Sequence, residues 1–153
     1  PMVELPADVS ETFLTERQAE VLALRNDGLT QREIAEQLGT SVANVSGVES
    51  SARRNVEAAA RTLDLARLLE CTLRFPVDAG CDLRELVDEV YARGDEADLR
   101  VAYAEPALTT RLHDLLGDLI EERRLVEPVE VGITAEGTVM AFPRGTNRTG
   151  RSA

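Results

Sequence analysis

The chain has 153 residues, 28 of them Asp or Glu and 17 basic, every basic residue is Arg, and the formal net charge is −11. That length can bury a core and is expected to hold two small units. No apolar run approaches the ~20 residues of a membrane span and no basic-then-apolar start marks a secretory signal, so neither is expected and a cytoplasmic protein is.

Cys71 and Cys81 are too few for a disulfide scaffold and lack CxxC spacing. Two reduced core thiols are the expectation, with a redox switch between them as the other reading. The single histidine, His113, offers no metal site, and no cofactor is expected. The acidic, Lys-free, aromatic-poor composition suits a high-salt cytoplasm, where screening removes most self-repulsion, although a GC-rich genome favouring Arg codons would also deplete Lys.

In chain order, Leu14 to Leu29 reads as a first helix. Thr15 and Gln18 form a capping box, Val21, Leu22 and Leu24 the apolar side, and Asp27-Gly28 the stop. Thr30 is an N-cap with Glu33 three residues on, so a second helix starts at Gln31, with Ile34, Ala35 and Leu38 inward and Gly39 ending it in a tight bend. Ser41 caps a third helix whose Val42, Val45 and Val48 are expected to point inward. Ala43, Asn44, Ser46, Gly47, Ser50 and Ser51 then face out.

The small residue Ala35, the Gly39 turn and Val45 stand at helix-turn-helix spacing, which places the third helix in a DNA major groove. Asn44 is the expected base reader, because its amide can both donate to and accept from adenine. Gln31 and Arg32 are the expected phosphate contacts at the start of the second helix, and Arg53 and Arg54 stand just past the base-reading turns, where guanidinium groups reach phosphates. The expected DNA-contacting set is Gln31, Arg32, Ser41, Ala43, Asn44, Ser46, Gly47, Ser50, Arg53 and Arg54.

The run LTERQAEVLALRNDGLTQREIAEQLGTSVANVSGVESSARRNVE resembles the three-helix readers of the sigma-factor region 4 and LuxR superfamily. Within it, FLTERQAEVLALR, GLTQREIAEQLGTSVANVS and the long Arg/Ala-rich helix leading to a small acidic domain look like the archaeal Tfx family of transcriptional regulators. The resemblance covers about the first 70 residues by motif and the rest by layout. It implies a promoter-region DNA binder with a separate C-terminal domain; halophilic archaea would supply the high-salt cytoplasm. Related readers often carry Lys or Arg at the exposed start of the recognition helix, where this chain has Ala43, Asn44, Ser46 and Gly47, so base specificity does not carry over.

No Gly or Pro interrupts Val48 to Leu69, and Ala52, Val56, Ala59, Leu63 and Ala66 recur at spacings of four and three. That seam suits a two-fold helix pair and a homodimer, or packing on the chain's own C-terminal domain. Arg61 and Arg67 are expected to pair with Glu57 and Asp64. Beyond it, Leu73, Phe75 and Val77 alternate as a strand with Pro76 at an edge, and Asp82 caps a helix bearing Leu83, Leu86, Val87, Val90 and Tyr91 that Gly94 ends. Val101 and Tyr103 form a short strand, Leu108 to Ile120 an amphipathic helix, Val129 to Ile133 a strand, and Ala135-Glu-Gly a turn into Thr138 to Phe142.

The expected fold class is α+β: an N-terminal all-α helix-turn-helix with a long third helix over 1–69, a small β-α-β-α-β-β domain over 70–143, and a disordered basic tail over 144–153. Residues 41–67 carry 3 acids and 4 Arg while 68–143 carry 17 acids and 7 Arg, so the recognition helix is the least acidic folded segment. No nucleophile–base spacing or phosphate loop marks the second domain, and an enzyme is not expected. Dimerisation or partner binding is one role for it. A sensor for a small-molecule or anion effector at the loop Asp78 to Asp82 is the other. The function read from the sequence is a homodimeric, sequence-specific regulator of transcription bound to double-stranded DNA. The competing reading keeps the helix-turn-helix but turns its neutral face to the transcription machinery instead of DNA.

Overall fold

The computed structural model describes residues 3–145, and the chain divides into two compact units, Pro1–Thr62 and Leu63–Ala153. The first is all-helical. Helix α1 (Glu16–Asn26) opens on a reciprocal capping box: the Gln18 amide donates to the Thr15 hydroxyl and the Gln18 side chain accepts from the Thr15 amide. Helix α2 (Gln31–Leu38) starts on Thr30, whose hydroxyl accepts from the Glu33 amide. Gly39 ends α2 at φ 67°, the left-handed conformation that glycine adopts without steric cost, and the chain turns straight into α3 (Val42–Leu69). Val21, Leu24, Ile34, Ala35 and Val45 form the core where the three helices meet. Val42, expected inward, is 43 % exposed. It occupies the first turn of α3, before the helix reaches the other two, so the inward stripe begins only at Val45.

The second unit is a three-stranded antiparallel sheet covered by two helices. Strand order is β1 (Leu73–Val77), β4 (Val129–Ile133), β5 (Val139–Pro143), with β4 central. Phe75 faces Val131 across β1 and β4 while Val131 faces Ala141 across β4 and β5. Pro76 lies on the edge strand β1, the position in a sheet that tolerates a residue without an N–H. Helices α4 (Leu83–Glu96) and α5 (Glu105–Leu116) bury Leu86, Val90, Leu108 and Leu112 against Phe75, Val129, Val131 and Ile133.

The α+β class and the three N-terminal helices stand as read from the sequence, but three details of the second unit differ. Gly94 lies inside α4 instead of ending it; a Cβ there would come within 2.9 Å of the Leu99 carbonyl, so the glycine admits the returning chain. Val101 and Tyr103 belong to no strand. Their segment is held by the Ala102 amide donating to Gly137 O at 2.9 Å and the Tyr91 hydroxyl donating to Tyr103 O at 2.7 Å, so the alternation reports burial without a ladder. Leu119 and Ile120 leave the helix: after a 3-10 turn at Gly117–Leu119 the chain forms a two-stranded hairpin of β2 (Ile120–Glu121) and β3 (Arg124–Leu125). Among the described residues no helix is long and apolar enough to cross a membrane.

Candidate nucleic-acid interface

Helix α3 begins on Ser41, whose hydroxyl accepts from the Asn44 amide at 3.1 Å. Ala43, Gly47, Ser50 and Arg54 follow at spacings of four, three and four and are all exposed, a line along one helical face. Nothing stands within 4 Å of where a Gly47 Cβ would sit, so this line can approach another surface closely. Asn44 and Ser51 flank it on the α1 side, where with Thr15, Arg17, Gln18, Gly47 and Val48 they line an open groove. On the opposite flank Ser46 is half-buried and Arg53 points back to Glu49.

The Asn44 side chain is oriented before any partner arrives. Its Nδ2 donates to Thr40 Oγ1 at 3.0 Å, which uses one amide hydrogen and leaves the second hydrogen and the carbonyl oxygen for a partner. Those two groups are the donor and acceptor that an adenine edge needs. Arg54 donates from Nη2 to Ser51 Oγ at 3.1 Å along the same face, and Arg32 is exposed at the start of α2.

Gln31 and Arg53 occupy a different environment from the one their sequence positions suggest. Glu49 is only 7 % exposed, and Gln31 Nε2 donates to its Oε1 at 3.2 Å while Arg53 Nε donates to its Oε2 at 2.9 Å. Arg25 Nε lies 2.9 Å from Oε1 but out of line for a hydrogen bond, so that contact is one of charge; Arg25 Nη1 donates to Leu29 O at 3.0 Å. Burial alone would push the Glu49 carboxyl up. The hydrogen bonds from Gln31 and Arg53 and the charges of Arg25 and Arg53 outweigh it and hold the carboxyl below its ordinary range. The cluster ties α1, α2 and α3 together and holds the exposed face of α3 on a rigid support. Gln31 is thereby committed to the interior, whereas Arg53, with a side chain 56 % exposed, keeps donors for a phosphate.

Sequence reasoning passed over Arg17. It shares the groove with Asn44 and Gly47, is 53 % exposed, and pairs with Glu20 at 3.4 Å on its own helix. The signal was its place in the first turn of α1, which becomes meaningful only once α1 is laid beside α3. The other sequence candidates scatter. Burial pushes the Cys71 and Cys81 thiols up, away from thiolate reactivity, and neither cysteine is in a disulfide. Among the described residues no cluster of His, Cys, Asp and Glu could hold a metal. Of the basic tail only Arg144 and Gly145 are described: the Arg144 amide donates to Pro128 O at 3.0 Å and its guanidinium pairs with Glu130, so the chain is still anchored there. Arg148 and Arg151 lie outside the described residues.

Residues 59–141 match the family model described as the C-terminal part of the DNA-binding protein TFX, and residues 14–46 match sigma-70 region 4. A protein of Haloarcula marismortui, provisionally named a transcriptional regulatory protein, is 37 % identical over 142 residues, 93 % of this chain and 89 % of the relative. One from Methanocaldococcus jannaschii, named in the same way, is 34 % identical over 84 % of this chain and 94 % of its own length. The DNA-binding protein Tfx of Methanothermobacter thermautotrophicus is 30 % identical over 85 % of this chain and 94 % of its own length.

Proposed function

The chain belongs to the Tfx family of DNA-binding transcriptional regulators, which is not an enzyme family, and from that premise we propose that it is a cytoplasmic, sequence-specific regulator acting as a homodimer at promoter-region sites. The observation that carries the reading is the exposed line Ala43, Gly47, Ser50 and Arg54 with the oriented Asn44 amide beside it. In this reading Asn44 reads a base, Ala43 and Gly47 allow close approach, Ser41, Ser46 and Ser50 border the contact, and Arg17, Arg32, Arg53 and Arg54 hold phosphates. Gln31 acts indirectly, by holding Glu49.

The homodimer rests on α3. Val56 is 48 % and Leu63 50 % exposed along the seam that also carries Ala59 and Ala66, and an unpartnered apolar helix face is suited to a two-fold mate. A symmetric pair would present two reading faces to a pseudo-palindromic site. The division of labour is a reading head over 1–69 and an acidic α+β domain over 70–143 for dimer support or sensing. The acidic, Lys-free composition fits a halophilic archaeal cytoplasm.

One observation favours a second reading. Positions 43 to 47 hold no Lys or Arg, so the face that enters the groove contributes no charge of its own, and a neutral face would also suit contact with a protein of the transcription machinery. Selection of the full chain against random DNA duplexes in molar KCl separates the two. An enriched two-fold motif is the expected result; no enrichment at any salt would assign the face to a protein partner.

A further inference from the structure

Arg84 and Arg123 converge on a cavity of about 210 Å³ whose other walls are Leu83, Val87, Glu105 and Thr109. Three elements of the second unit build it: the first turns of α4, the start of α5, and the turn between β2 and β3. That turn is held in an unusual shape, since Glu122 and Arg123 are both non-glycine residues with positive φ, 47° and 68°. The Arg123 carbonyl accepts from the Leu83 amide at 2.8 Å, which fixes Arg123 over the first residue of α4. Its neighbour Arg124 is drawn elsewhere, donating from Nη1 to Gly80 O at 3.0 Å.

The charges in this cavity are left unneutralised by one another. Among the described residues neither the Arg84 nor the Arg123 guanidinium lies within 4.0 Å of a carboxylate, although the Arg84 backbone amide donates to Asp82 Oδ1 at 2.8 Å, and the Glu105 carboxylate lies within 4.0 Å of no cationic side chain. A simple anion would gain from the two guanidinium groups but be repelled by Glu105; a simple cation would meet the reverse. Leu83 and Val87, buried residues of the core, add an apolar wall that neither ion would use. We propose that the cavity binds a small zwitterion, an α-amino acid with a short aliphatic side chain.

The carboxylate lies between the guanidinium groups of Arg84 and Arg123, as a charge-assisted pair. The ammonium donates to Glu105 and to Thr109, whose hydroxyl already donates to Glu105 O at 3.1 Å and so presents lone pairs. The aliphatic group rests on Leu83 and Val87. The cavity equals about seven water volumes at roughly 30 Å³ each, room for an amino acid the size of valine or leucine.

The test is calorimetric titration and thermal melting of the full chain, without DNA, so that it is independent of the regulator reading. The probes are L-valine, L-leucine, isovalerate, isobutylamine and inorganic phosphate. A saturable heat and a raised Tm with valine or leucine, and binding at least about tenfold weaker with the carboxylate-only and amine-only probes, are expected. Arg84→Gln and Glu105→Gln, both at exposed positions, each weaken the amino acid by about tenfold while the ligand-free Tm and circular dichroism hold. No heat with either amino acid, phosphate binding in their place, or undiminished binding in both variants would overturn the proposal.

Discussion

Glu49 is the residue on which the reading head turns, because it is a nearly buried carboxylate that takes its stability from three partners on three helices. Glu49→Gln keeps the shape, removes the charge that offsets Arg25 and Arg53, and is expected to cost about 2–3 kcal/mol of stability near neutral pH. The native carboxyl titrates below its ordinary value of 4.5, so the unfolded chain takes up the proton first as pH falls. Its contribution is complete above that value and disappears as pH drops through the lower native one. Denaturant unfolding of wild type and Glu49→Gln should therefore converge on acidification from about pH 6 to about pH 3, and parallel curves would remove Glu49 from this role. None of this was legible in the sequence. Gln31 and Glu49 are 18 residues apart, and at that range the position of Gln31 in a helix N-terminus suggested a phosphate contact instead.

At the scale of elements, what was legible was local. Caps at Thr15, Thr30, Ser41 and Asp82 fixed four helix starts because a cap needs only its own first turn. The β2–β3 hairpin was not legible: its turn residues are Glu122 and Arg123, where positive φ ordinarily calls for Gly or Asn, and Leu119 and Ile120 continue the apolar period of α5. Two glycines with positive φ separate backbone freedom from close approach. Gly39 has nothing within 4 Å of a Cβ, so Gly39→Ala should cost only the left-handed penalty, about 1–2 kcal/mol. At Gly137 a Cβ would lie 1.9 Å from Arg100 O, and Gly137→Ala should destabilise by several kcal/mol more on the order of an overpacked core. Equal melting temperatures for the two variants would contradict that ordering. If α3 forms the proposed homodimer, Leu63→Glu sets like charges across its two-fold axis and should give monomers by light scattering in molar KCl. A dimer that persists would move the interface off this helix.

The whole molecule carries a net charge of −11, concentrated in residues 68–143, and a compact state so charged is destabilised by self-repulsion until salt screens it. The Tm should rise as KCl is raised from low concentration to the molar range, and a fall would remove the high-salt reading. Composition made this property legible. It did not reveal the cluster around Glu49, because charge counts along a chain say nothing of which carboxylate is buried. In the proposed function α3 reads DNA through its exposed face, with the oriented Asn44 amide as the base reader. The most direct test of this reading is the affinity of wild type and Asn44→Ala for a selected duplex and for the same duplex scrambled, at one fixed KCl concentration. Wild type should prefer the selected duplex, and Asn44→Ala should lose roughly 1–3 kcal/mol of that preference per half-site while its affinity for the scrambled duplex is unchanged. An equal preference in the two proteins would contradict the assignment of this face.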